Sequence, residues 1–234
     1  KDMNPRILII GFQRSGTTLL RRLLCQHPDV AYIIHEGRLL KTTNDRQVVY
    51  ECAQRIAEEN GIKANLRNSA WGDKVPFCAS SPKKIVGYCR KWQAMFGEKA
   101  RVLIIVRHPY DVAISSEKAF EQNPERILRV FASSMPGFIS TMLEDDSVMI
   151  LKFEDLVSNA ADVLSRICRY CTLDSSAEAV DKMSSAGRGE LRYFDRVEPS
   201  RAFAYKAEGV SVPNGHFQLV LETLNRIEGM LYEE

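Results

Sequence analysis

Apolar residues in this chain fall either into short unbroken runs or into longer stretches with helical spacing. Ile7 to Ile10, Ala31 to Ile34, Arg101 to Val106 and Val148 to Phe153 are runs of the first kind, rich in β-branched side chains, and predict strands buried in a sheet. Between them lie helical patterns: Leu19, Leu20, Leu23 and Leu24 after Thr17-Thr18; Ile85, Tyr88, Cys89, Trp92 and Phe96 after Ser81-Pro82; Ile127, Leu128, Phe131, Phe138, Met142 and Leu143 in the 124–144 stretch; and a helix from about 160 to 171. The 45–60 stretch is a polar, weakly amphipathic helix that suits a lid or acceptor-side element. Pro76 keeps Trp71 to Phe77 a short extended piece, and Pro136 predicts a kink or restart in its helix. The 174–215 segment reads as short helix and loop, and a terminal helix over about 215–231 packs Phe217, Val220, Leu221, Leu224 and Ile227. Strands alternating with helices imply a three-layer α/β/α fold with a central parallel sheet.

Composition narrows the class. At 234 residues and 45% hydrophobic content, one domain spanning 1–234 is expected, with enough chain for a sizeable core. The net charge of +2 does not provide the broad basic face of a nucleic-acid binder, so a local cationic pocket fits better. No apolar run approaches the roughly 18 residues of a membrane span, and the expected location is the cytoplasm, with the lumen of a membrane compartment as the alternative. The six cysteines are scattered and read as reduced thiols; Cys168 and Cys171 form a C-x-x-C pair on a late amphipathic helix, where core packing outweighs a metal or redox role. No metal site is expected.

The chemistry concentrates at strand ends. Ile7 to Ile10, the loop glycines Gly11 and Gly16, and the helix opening at Thr17-Thr18 spell strand, glycine loop, helix. Such a turn presents backbone N–H groups at a helix N-terminus, where the dipole also favours negative charge, so its natural ligand is a phosphate-like oxyanion. The spacing is near that of the nucleotide P-loop, but Thr17 stands where that loop has its lysine, which argues against ATP-dependent kinase chemistry. Arg14 supplies a cation instead. A second anion site is expected where Arg107 leaves a strand and Ser115 follows in the next helix, since a guanidinium engages a phosphate bidentately and a hydroxyl adds a donor. His35, Glu36 and Arg38 form a titratable cluster just past the end of another strand, where open α/β sheets bind ligands.

Gln13-Arg14-Ser15-Gly16-Thr17-Thr18 resembles the 5′-phosphosulfate loop of the sulfotransferases that use 3′-phosphoadenosine 5′-phosphosulfate (PAPS). Arg107-His108-Pro109-Tyr110-Asp111-Val112-Ala113-Ile114-Ser115 is similar to that family's 3′-phosphate motif, Trp71 to Pro76 to its Asp-Lys-x-Pro segment, and Phe153 to Leu156 to its Tyr-Glu-Asp-Leu. The resemblance covers about the first 170 residues and implies the P-loop-like sulfotransferase fold, closer to the tyrosylprotein and carbohydrate enzymes than to the cytosolic ones.

It also implies transfer of a sulfuryl group from PAPS to an acceptor hydroxyl or amine, without a metal, leaving adenosine 3′,5′-bisphosphate. The donor would be held by Arg14, Ser15, Gly16, Thr17, Thr18, Arg107 and Ser115, with Arg201 and Lys206 from a C-terminal loop closing over the nucleotide. Lys74 resembles the family's lysine beside the donor. Glu36 resembles the glutamate base of the tyrosylprotein and heparan enzymes, and His35 is the rival base. The acceptor remains a carbohydrate, a peptide or a small metabolite, and the competing readings are a P-loop-type nucleotide kinase and a non-catalytic nucleotide-binding module.

Overall fold

The structure is a computed structural model that describes residues 4–36, 39, 43–78, 82–143 and 145–185. Strands β1 (Arg6–Phe12), β2 (Val30–Ile34), β3 (Ala70–Phe77), β4 (Ala100–Val106) and β5 (Val148–Lys152) form one sheet in the order β2-β3-β1-β4-β5. Every neighbouring pair is parallel. The connections are α1 (Thr17–Leu24), α2 (Arg46–Glu59), α3 (Pro82–Phe96), α4 (Pro109–Phe120) and α5 (Pro124–Met142), with α6 (Phe153–Ser158) and α7 (Ala160–Tyr170) after β5.

β1 is buried along its whole length between β3 and β4. Its side chains alternate between two cores, as the strand repeat requires. Ile7 and Ile9 pack with Leu20, Leu23 and Leu24 of α1 and with Leu164 and Ile167 of α7. Leu8, Ile10 and Phe12 pack on the opposite face with Trp92 of α3, Val112 of α4 and Phe131 of α5. The expected three-layer α/β/α architecture with a central parallel sheet is therefore what the chain adopts. Because α1 leaves β1 toward one face and α4 leaves adjacent β4 toward the other, the chain diverges at the carboxyl ends of these two strands, the switch point where doubly wound sheets bind ligands.

Several local expectations need correction. β1 runs through Gly11 to Phe12, and Trp71 to Phe77 belongs to a full strand, β3, whose Pro76 and Gly72 hide its length in the sequence. Helix α5 continues through Pro136 without a restart. A proline removes one backbone donor, but Phe131, Met135, Phe138, Ile139 and Met142 are buried on both sides of it and hold the helix on the core. Helix α2, capped by the Asp45 carboxylate on the N–H groups of Gln47 and Val48, buries Val49, Ala53 and Ala57 and is a core-packed element rather than a lid. His27 is more than a turn residue: it is buried, takes the Asp29 N–H on Nδ1, and places Nε2 2.8 Å from the Asp174 carbonyl. Cys168 and Cys171 lie in the core as free thiols. The terminal helix expected over 215–231 and most of the 174–215 segment lie outside the described residues.

The β1–β3 register makes a stability prediction. A Cβ added to Gly72 would lie 1.9 Å from the Ile7 carbonyl oxygen, whereas one added to Gly87 in α3 meets nothing within 4 Å. Gly72→Ala should destabilise the fold by about 1–3 kcal/mol through overpacking, and Gly87→Ala should stabilise it by about 0.5–1 kcal/mol through helix propensity. Urea denaturation of the two variants checks this; a Gly72→Ala protein as stable as its parent contradicts the register.

Candidate functional site

The loop between β1 and α1 is pinned at two points. Gln13 N–H donates to the Phe77 carbonyl at 2.6 Å, and Ser15 N–H to the Phe12 carbonyl at 3.0 Å. Arg14 and Gly16 both take left-handed backbone conformations, with φ 69° and 95°. A non-glycine residue there is strained, and such strain persists only where the surroundings enforce it. Gly16 has no alternative residue, because a Cβ would fall 2.3 Å from Cδ2 of Phe153. Ser15 is fully buried, with no partner for its hydroxyl among the described residues, and Thr17 is buried with its methyl toward Gly11.

The second loop, at the end of β4, meets the first. Nε of Arg14 donates to Ser115 Oγ at 2.9 Å, joining residues 101 positions apart, and Nη1 of Arg107 donates to the Arg14 carbonyl at 3.3 Å. The Arg107 guanidinium lies 4.5 Å from the centre of the Phe153 ring and 3.6 Å from the Asp111 carboxylate. Burial lowers its pKa; Asp111 and Glu154 oppose that, and Arg14 adds to it. Its Nε is buried without a protein acceptor among the described residues. Glu154 accepts the His108 N–H at 2.9 Å, and burial pushes its carboxyl upward.

A third group lies on the β3 side. Lys74, buried, donates from Nζ to Thr18 Oγ1 at 3.1 Å and lies 3.4 Å from His35 Nε2, while His35 Nδ1 lies 3.3 Å from Glu36 Oε1. The result is a polar chain from the first loop, Thr18 to Lys74 to His35 to Glu36. Its outer end is open, with the Glu36 side chain 65% exposed. Glu36 has φ 74°, a second non-glycine residue held left-handed at the site. Burial lowers the His35 pKa and the Lys74 charge lowers it further, with Glu36 opposing. The Lys74 pKa is lowered too, again first by burial. A neutral His35 therefore has its Nδ1 proton toward Glu36 and its Nε2 lone pair toward Lys74. Asp73, fully buried, accepts the N–H groups of Leu39 and Lys74 and so ties the Leu39 backbone to β3.

Residues 4–187 match the family model described as the sulfotransferase domain. The chain belongs to that family. Among solved structures, this sulfotransferase is similar to the sulfotransferase domain of the Synechococcus PCC 7002 olefin synthase, at 21% identity over 95% of each chain with a TM-score of 0.59. It is similar also to the sulfotransferase domain of the curacin biosynthetic pathway, at 22% identity over 76% of this chain and 77% of that one, TM-score 0.55. A sulfotransferase from Alicyclobacillus acidocaldarius matches at 18% identity over 74% and 82% of the two chains, TM-score 0.51. At these identities the likeness speaks for the fold. No curated protein sequence matches the chain significantly.

The sulfotransferase thus brings together Arg14, Ser15, Gly16, Thr17 and Thr18 with Arg107 and Ser115, and sets Lys74, His35 and Glu36 beside them. Arg38, Arg201 and Lys206 lie outside the described residues. Sequence reasoning gave no role to Phe153, Glu154, Asp111 and Asp73. The signal for Asp73 was in view, a carboxylate inside a buried strand and directly before Lys74. Among the described residues no group of His, Cys, Asp and Glu is arranged to hold a metal ion.

The charge network has a pH consequence. His35 should titrate below the ordinary histidine value of 6.5, and Lys74→Met should move that midpoint upward, because one of the causes that lowers it is then gone. Proton NMR titration of the His35 ring reads both; a Lys74→Met protein with an unmoved or lower midpoint contradicts the contact.

Proposed function

We propose that this sulfotransferase transfers the sulfuryl group of PAPS to a hydroxyl or amine of its acceptor, in line, and releases adenosine 3′,5′-bisphosphate. One observation carries the reading: the Arg14–Ser115 hydrogen bond, with Arg107 donating to the Arg14 carbonyl, makes a single site of two anion-binding loops far apart in the chain. A ligand with two separated anionic groups suits that arrangement better than a single phosphate does. Thr17 in place of the P-loop lysine weighs against ATP chemistry.

The 5′-phosphosulfate would sit against the 13–18 loop, where Arg14 and the N-terminus of α1 stabilise charge on the leaving phosphate as the S–O bond breaks. Arg107 and Ser115 would hold the 3′-phosphate, the guanidinium bidentately. Lys74, reaching Thr18 from β3, would lie beside the transferring group, where its compact charge would stabilise the sulfuryl oxygens. Glu36 takes the acceptor proton. His35 keeps the carboxylate aligned with Lys74 and is the second candidate base, favoured by its lowered pKa.

Glu36→Gln should lower turnover about 10²–10⁴-fold while leaving nucleotide binding nearly unchanged, since a general base makes no donor contact. Steady-state kinetics with PAPS and a panel of acceptors, run beside His35→Asn, assigns the role; parental turnover in Glu36→Gln removes it from the mechanism. On the donor side, Arg107→Ala should lose about 2–5 kcal/mol of affinity for adenosine 3′,5′-bisphosphate and Ser115→Ala about 0.5–3 kcal/mol, with 5′-AMP little affected in either. Isothermal titration reads both ligands, and equal weakening of the two in Arg107→Ala would displace the 3′-phosphate from this site.

A further inference from the structure

Phe153 and Glu154 open α6 and belong to neither anion-binding loop, yet each touches one or both. The Phe153 ring is buried so close to the first loop that a Cβ on Gly16 would lie 2.3 Å from Cδ2 and 2.8 Å from Cε2. The same ring carries the Arg107 guanidinium at 4.5 Å from its centre, a cation over a π face. The next residue, Glu154, accepts the His108 N–H at 2.9 Å, at the N-terminus of α4, where the His108 side chain makes no cap of its own. Two consecutive side chains thus set the backbone of the first loop, the guanidinium of the second, and the start of the helix that carries Ser115.

The geometry matters because Arg107 is largely enclosed and, among the described residues, its Nε lacks a protein acceptor, so its placement there rests on Asp111, the Arg14 carbonyl and the ring it lies over. Removing the ring's flat face lets the guanidinium tilt. Freeing the His108 N–H lets the first turn of α4 shift, and Ser115 with it. Either change alters the spacing of the two anion sites without removing any group that donates to the ligand.

We propose that Phe153 and Glu154 are positioning residues that fix the separation between the two anion sites, and so set the preference for a nucleotide phosphorylated at both 3′ and 5′ over one phosphorylated at 5′ alone. This rests on the donor placement proposed above. A purely structural role for the same residues would lower stability and leave the preference intact, which separates the two roles experimentally.

The test is isothermal titration of adenosine 3′,5′-bisphosphate and 5′-AMP into the parent, Phe153→Leu, Phe153→Tyr, Glu154→Ala and the double variant Phe153→Leu/Arg107→Ala. Phe153→Leu should reduce the preference for the bisphosphate by roughly threefold to thirtyfold, the range of a partly desolvated cation–π contact, and Phe153→Tyr, which keeps the ring, should retain it. Glu154→Ala should reduce the preference as well, and it decides the matter if Phe153→Leu does not fold. In the Arg107→Ala background, Phe153→Leu should change the preference no further, because the group it positions is gone. Parental preference in the folded single variants, or an undiminished effect of Phe153→Leu without Arg107, overturns the positioning role while leaving the donor reading standing. A parent with no preference for the bisphosphate overturns both.

Discussion

The parallel pairing of β1 with β4 is the constraint on which the site depends. Their register, with Gly11 opposite Ile105, brings both strands to an end at one edge of the sheet, so the loops that follow have to be neighbours. Burial on both faces fixes that register, because a one-residue slip would exchange Ile7 and Ile9 with Leu8 and Ile10 between two different cores. The pairing also places two guanidinium groups close together, and Arg14 accordingly disfavours the charged form of Arg107. Asp111 and Glu154 each outweigh that repulsion, and what still opposes the charge is its burial. An oxyanion bound there would offset that cost, an electrostatic reason for an anionic ligand to settle at the proposed site beyond its hydrogen bonds.

The neighbouring strand on the other side of β1 supplies the other half of the candidate site. β3 presents Lys74 level with Ile9 of β1, from which Nζ reaches Thr18 in the first turn of α1. His35 and Glu36 follow the end of β2, which pairs with β3. Three adjacent strands thus bring the first loop, a lysine and a histidine–glutamate pair into spatial order, the order that the proposed in-line transfer from a phosphosulfate would use. Burial lowers the His35 pKa and the neighbouring Lys74 charge lowers it further, with Glu36 opposing, so the fold holds the imidazole toward its neutral form.

Much of this was legible in the sequence because the information is local. Ile7 to Ile10, Gly16 and Thr17-Thr18 specify strand, turn and helix within a few residues, and Arg107 to Ser115 does the same for the second loop. Their meeting is a matter of strand order, and only alternation of strands and helices pointed to it. The length of β3 was obscured by Gly72 and Pro76, residues that weaken a strand pattern while fitting a central strand whose neighbour approaches closely at Gly72. The proline in α5 was given too much weight, since burial on both sides of Pro136 outweighs one missing donor. Phe153 read as the last residue of a strand, and nothing local could show that its ring would meet Gly16 and Arg107, which lie far off in the chain.

The central claim is that a single ligand spans both loops with two anionic groups. The most direct measurement is calorimetric titration of the unmodified protein with 5′-AMP, 3′-AMP and adenosine 3′,5′-bisphosphate at one fixed ionic strength, since screening would otherwise blur the comparison. The account predicts that the bisphosphate binds more tightly than either monophosphate and that both monophosphates bind measurably, each through its own loop. Binding of 5′-AMP as tight as that of the bisphosphate would contradict it, because the loop of Arg107 and Ser115 would then contribute nothing to holding the nucleotide.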